Sequence, residues 1–106
     1  MPEENTIGVV VNGTMEIASE DRERFVALVQ QNVAQTTGKP GCIYYFFASD
    51  VTNPNLFHNI EAWTNRDALD AHMKSEMMRT VFTKVKQLQV LSRDVTLFTT
   101  TGHSKL

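Results

Sequence analysis

Four aromatic side chains stand side by side in this chain, Tyr44, Tyr45, Phe46 and Phe47, inside the run Gly41–Ser49. Successive strand residues point to opposite faces, so Tyr44 and Phe46 take one side and Tyr45 and Phe47 the other. A strand apolar on both faces needs cover on both, which predicts a central strand of a sheet with a layer on each side. Asp50–Asn55 follows with turn residues. The next run, ending on the single tryptophan, reads Leu56, His58, Ile60, Ala62 on its even positions and Phe57, Asn59, Glu61, Trp63 on its odd ones. Each of its faces therefore mixes apolar and polar groups. That pattern suits a sheet in which one covering layer encloses a lined cavity, with either face open as the lining. The two runs predict an antiparallel hairpin.

The rest of the chain falls into order around this hairpin. Residues 7–15 predict a first strand, with Ile7, Val9, Val11 and Met15 on one face and Val10, Asn12 and Thr14 on the other. Asn12 is out of character in a strand, and either an irregularity beside Gly13 or a pocket role accounts for it. Ser19 predicts a helix N-cap, with Glu20 and Asp21 in the first turn. Phe25, Val26, Leu28, Val29 and Val33 then form an apolar helical stripe, stopped at Gly38 and Pro40. Thr64 predicts a second cap. Leu69, Met73, Met77, Val81 and Val85 recur every fourth residue, and Ser75 marks either a kink or a second helix. Residues 94–100 alternate as a last strand, and the tail 101–106 is expected to be loose.

The order β-α-β-β-α-β is the α+β, ferredoxin-like arrangement, a four-stranded antiparallel sheet with its helices on one face. Two helices leave the other face of the sheet bare. A second copy of the chain is the simplest cover for the aromatics there, so a homodimer is expected.

With 106 residues the chain forms one domain, 1–106, with its core over about 6–99. A net charge of −2 and the absence of a basic run offer nothing to nucleic acid or an anionic membrane. No apolar run reaches the roughly 20 residues that a membrane span needs. A lone cysteine, Cys42, and an acidic N-terminal segment (the reverse of a signal peptide) fit a cytoplasmic protein.

Pro40-Gly41-Cys42 before an aromatic strand, then Asp50, Asn53-Pro54, Phe57, Glu61 and Trp63, then Leu69 and His72, resembles the antibiotic biosynthesis monooxygenase family over residues 6–99. The resemblance implies a dimeric α+β barrel with a pocket between sheet and helices. It also implies a range of chemistries, from quinol oxygenation and haem degradation to isomerisation. Cofactor-independent oxygenases of polycyclic phenols are similar in an Asn and a Trp four positions apart on the third strand, here Asn59 and Trp63. Their Tyr falls on Leu69, and Arg79 is a loose counterpart of their Arg. The haem degraders are similar in Asn12, but their helical Trp falls on His72 and their iron-ligating His on Phe82, which argues against haem.

Oxygenation without metal or flavin needs a substrate anion able to give an electron to O2, a base to make it, and donors to hold it. These requirements single out His72 as base, Asn59 and Trp63 as donors, and Asn12, Glu61 and Phe82 as substrate contacts. No cofactor and no metal are expected. His72 and Glu76 supply two ligands at most, and the glycines form no phosphate loop. The expected function is a monooxygenase acting with O2 on a quinol or other electron-rich aromatic. A non-redox isomerase acting on a small oxygenated metabolite, and a non-catalytic dimeric binding protein, are the alternatives. The sequence also allows each of these residues a purely structural role.

Overall fold

The computed structural model describes residues 6–106, so the acidic segment 1–5 lies outside the described residues. The strands are β1 (Val9–Ile17), β2 (Cys42–Ser49), β3 (Leu56–Trp63) and β4 (Val90–Thr99), and the helices are α1 (Arg22–Thr36), α2 (Arg66–Met73) and α3 (Glu76–Val85). One antiparallel sheet runs in the order β2-β3-β1-β4. This is the ferredoxin-like topology, with β1 and β3 at the centre. No helix among the described residues is long and apolar enough to cross a membrane.

β2 is an edge strand, not a central one. Among the described residues its only partner strand is β3. The four aromatics serve two different surroundings. Tyr45, 4 % exposed, and the half-buried Phe47 turn toward the helices, while Phe46 is 55 % exposed on the bare face. Richness on both faces therefore reflects one face covered by the helices and one left bare, and does not require a second neighbouring strand.

Register sorts the helix side of the sheet into rows. Reading β2-β3-β1-β4, they are Tyr45, Glu61, Val11, Leu97 and then Phe47, Asn59, Gly13, Val95. Two clusters fill the space beneath the helices. Val9, Val11, Tyr45 and Trp63 pack with Leu69 of α2, and Ile17 and Phe57 pack with Phe25 and Val29 of α1. Each cluster joins a helix to the two central strands, so hydrophobic burial fixes where the helices lie.

The helix boundaries depart from expectation in instructive ways. Ser19 opens a single 3-10 turn, Ser19–Asp21, and α1 follows from Arg22 without a side-chain cap. Asp21 is drawn elsewhere, accepting from the Gln89 backbone N–H at 2.8 Å and pairing with Arg24. Asn65, not Thr64, caps α2 by accepting from Ala68 N–H, and Ser75 caps a separate α3. β4 begins four residues earlier than the alternation indicated. The tail 101–106 is irregular and exposed, although His103 Nε2 accepts from the Ile7 N–H at 2.9 Å.

Two glycines after α1 have positive φ, Gly38 at 91° and Gly41 at 82°. A Cβ on Gly38 would meet nothing within 4 Å, whereas one on Gly41 would lie 2.5 Å from the Ala68 Cβ of α2. Gly38→Ala should therefore cost only the backbone strain, roughly 1–2 kcal/mol. Gly41→Ala adds a packing conflict and should cost about 2–4 kcal/mol. Urea unfolding of the two variants checks the difference, and equal losses would show that α2 yields freely.

Candidate functional site

β3 places Asn59, Glu61 and Trp63 two residues apart, so all three project toward the helices. At about 3.3 Å of rise per residue, their Cα positions span roughly 13 Å. Trp63 is fully buried and Glu61 is 6 % exposed. The indole Nε1–H donates to Glu61 Oε1 at 2.9 Å. Trp63 therefore spends its one polar hydrogen inside the protein and is not free to donate it to a ligand. Burial pushes the Glu61 carboxyl above its ordinary range, and the Trp63 hydrogen bond, with the Asn59 amide nearby, offsets this only in part.

α2 brings His72 over this strand. Its ring stands 4.9 Å from that of Trp63 and 5.4 Å from that of Tyr45. Lys39, on the loop before β2, places Nζ 3.2 Å from His72 Nδ1. An ammonium only donates, so Nδ1 accepts, and the neutral ring carries its proton on Nε2. Burial, reinforced by the Lys39 charge, lowers the His72 pKa to about 4. The nitrogen left facing the interior is thus a donor. That does not fit the general-base role expected of His72.

Two buried polar atoms in this region lack partners, Asn59 Nδ2 and His72 Nε2. Beside Asn59 in its row, Gly13 presents no side chain, and a Cβ there would lie 3.0 Å from Val95 Cγ2. On the α1 side, Asn32 donates to the Tyr45 hydroxyl at 2.9 Å and accepts from Thr36 Oγ1 at 3.2 Å. Burial, with Glu61 adding to it, pushes the Tyr45 hydroxyl well above the usual phenol range. Neutral Tyr45 and neutral His72 therefore surround the Glu61–Trp63 pair.

The fold brings together Asn59, Glu61, Trp63 and His72 and leaves out the other two expected residues. Asn12 projects from the bare face of the sheet, opposite to Asn59, and is exposed. Phe82, on α3, is 37 % exposed and takes no part in the ring contacts around Trp63. Lys39, Tyr45 and Asn32 escaped recognition as site residues. Tyr45 lay within the aromatic run, but no spacing in the sequence ties Lys39 or Asn32 to His72. Among the described residues no group of three or more His, Cys, Asp or Glu side chains is arranged to hold a metal ion.

A ferredoxin-like sheet with a polar cluster buried under its helices defines the class of protein. Residues 8–84 match the antibiotic biosynthesis monooxygenase family, so the chain belongs to that family. An uncharacterized protein of Synechocystis is 39 % identical over 67 residues, a stretch that covers 63 % of this chain but only 46 % of that protein. The chain thus spans about half the length of that relative. A candidate antibiotic biosynthesis monooxygenase of Deinococcus radiodurans shares the fold with a TM-score of 0.87 at 21 % identity, covering 92 % of this chain and 97 % of that one. A second solved structure, described as an antibiotic biosynthesis monooxygenase, has a TM-score of 0.80 at 26 % identity and covers 89 % of this chain and 99 % of its own.

His72 makes the stability of the fold pH-dependent. Above pH 6.5 it is neutral whether folded or unfolded, and its contribution is fully present. Between pH 6.5 and about 4 the unfolded chain takes up a proton that the folded chain does not, so stability falls. Glu61, whose pKa is raised, acts in the opposite sense and favours the fold as pH falls. Comparison with His72→Gln isolates the histidine. Between pH 7.5 and 4.5 the parent protein should lose about 2 kcal/mol more than the variant in urea unfolding. Parallel losses would mean that His72 is not held neutral by its surroundings.

Proposed function

We propose that this chain is a cofactor-independent monooxygenase that acts with O2 on a quinol or related electron-rich phenol. The observation that carries this reading is the pair of buried, unpartnered donors, Asn59 Nδ2 and His72 Nε2, on the Glu61–Trp63 side of the sheet. Buried polar groups are almost always paired, and leaving one open costs roughly 1–3 kcal/mol. Two such donors beside aromatic walls suit an aromatic ligand whose oxygens carry or develop negative charge. The family membership and the monooxygenase descriptions of the solved relatives point the same way.

The chemistry asked of the site is modest. A phenolate gives an electron to O2 far more readily than a neutral phenol, so donors that stabilise the phenolate lower the barrier. Asn59 and His72 supply such donors, and Trp63 and Tyr45 supply aromatic surface and exclude water. Oxygen uptake with a panel of naphthoquinols and hydroxylated anthrones tests the reading. Turnover is expected, and Asn59→Ala should lower kcat about 100-fold or more with KM little changed. Saturable binding without oxygen consumption would instead identify a non-redox enzyme or a binding protein.

We also propose that a second copy covers the helix-free face. That face carries the stacked rings of Tyr44 and Phe46, 5.4 Å apart, with Ile60 at 39 % and Phe98 at 49 % exposure. The register lines these residues up in two adjacent rows, an uncharged and mainly apolar strip that also carries Asn12 and Thr96 and is suited to packing on its own copy. Light scattering at micromolar concentration should return twice the 12.0 kDa chain mass, and Phe46→Asp should shift it toward 12.0 kDa. A parent protein that remains monomeric across that range would contradict the assembly.

A further inference from the structure

We propose that Glu61 is the proton acceptor of the site, taking the hydroxyl proton of a bound phenol while His72 acts only as a neutral donor. This rests on the aromatic-oxygenation reading above. The geometry favours Glu61 over every other candidate nearby. Glu61 sits between Asn59 and Trp63 on the helix side of β3, so a phenol oxygen brought to the Asn59 amide lies along the strand from the carboxylate. Oε1 is held by the Trp63 indole, which fixes the carboxylate's orientation. Among the described residues the Trp63 indole makes the one hydrogen bond that meets full geometry at this carboxylate, and the Asn59 amide lies near enough to steady its charge without closing a second. One oxygen is therefore anchored and the other is free to accept.

The groups facing Glu61 from the surrounding elements cannot take that role. On β2 its neighbour is Tyr45, whose hydroxyl accepts from Asn32, and β1 and β4 offer only Val11 and Leu97 in that row. Cys42, at the start of β2, is a neutral thiol held up by burial and by the Glu61 charge. On α2, His72 presents Nε2–H with its lone pair turned to Lys39. Among the described residues no cation contacts Glu61 to stabilise its charge, so burial makes it a stronger base than an exposed carboxylate.

The proton balance closes with one carboxylate. The ring O–H bond breaks, the proton moves to Glu61, and the electron pair stays on the ring oxygen as phenolate. The phenolate passes an electron to O2 and the two fragments join through a new carbon–oxygen bond to give a peroxide. Glu61 returns its proton to the peroxide. Loss of water, with the ring C–H hydrogen, leaves the quinone, so phenol and O2 give quinone and one water.

The experiment separates proton transfer from oxygenation. A naphthoquinol that absorbs differently as phenol and phenolate is titrated anaerobically into the protein near pH 6.5, and the bound spectrum and Kd are read together. The parent protein should show the phenolate band. Glu61→Gln should bind with a Kd within about threefold but lose at least nine-tenths of the band, and His72→Gln should keep it. Circular dichroism verifies the fold. Should Glu61→Gln fail to fold, Glu61→Asp replaces it, and its band should return only at higher pH. A Glu61 variant that keeps the full band, or a His72→Gln variant that loses it, overturns the proposal. So does a parent protein that binds the quinol only as neutral phenol. A Glu61-dependent band without oxygen uptake in air would leave Glu61 as the proton acceptor and sink the oxygenase reading alone.

Discussion

The hydrogen bond from the Trp63 indole to Glu61 holds the interior of this protein in its polar arrangement. A carboxylate beneath two helices is costly unless donors meet it, because burial removes the water that would otherwise stabilise its charge. Trp63 supplies one donor from two residues along the same strand, and it does so while completely buried. The same ring packs against Val9, Val11, Tyr45 and Leu69 and lies against His72. One side chain thus anchors α2 on the sheet and orients the carboxylate. Polar and apolar requirements meet on a single residue.

A single neutral donor does not fully satisfy a carboxylate, and here the incompleteness extends along the strand. Asn59 and His72 each keep an N–H without a partner. Lys39 contributes from outside by engaging Nδ1, which leaves the imidazole neutral and turns its proton inward. The cluster therefore combines donors and one acceptor among the rings of Trp63 and Tyr45 and carries no protonated imidazole.

The sheet separates two tasks by the alternation of its side chains. Toward the helices β3 offers Asn59, Glu61 and Trp63. Toward the bare face it offers His58, between Ala48 and Thr14, and Ile60, between Phe46 and Asn12. A one-residue slip in register would exchange the two sets, so the same pairing that builds the sheet also keeps Asn59, Glu61 and Trp63 away from the helix-free face. His58, bound to Asp50 at 2.8 Å, is an example of a histidine committed to the turn beside it.

How much of this was legible in the residues follows from the range over which each effect acts. The order of strands and helices was legible, since hydrophobic period and turn residues are local, and so was the sharing of one face of β3 by Asn59, Glu61 and Trp63, but which face meets the helices was not. Ser75 announced the break between α2 and α3 for the same reason. The edge position of β2, the outward placement of Asn12 and the exposure of Phe82 were not legible. Each depends on which strand neighbours which and on where the helices stop covering the sheet. The role of His72 was decided furthest from the sequence. Its neutral state and inward N–H follow from Lys39, 33 positions away, and from burial against Trp63 and Tyr45. A residue's type is written in the chain, but its protonation is set by neighbours that only folding brings within a few ångströms.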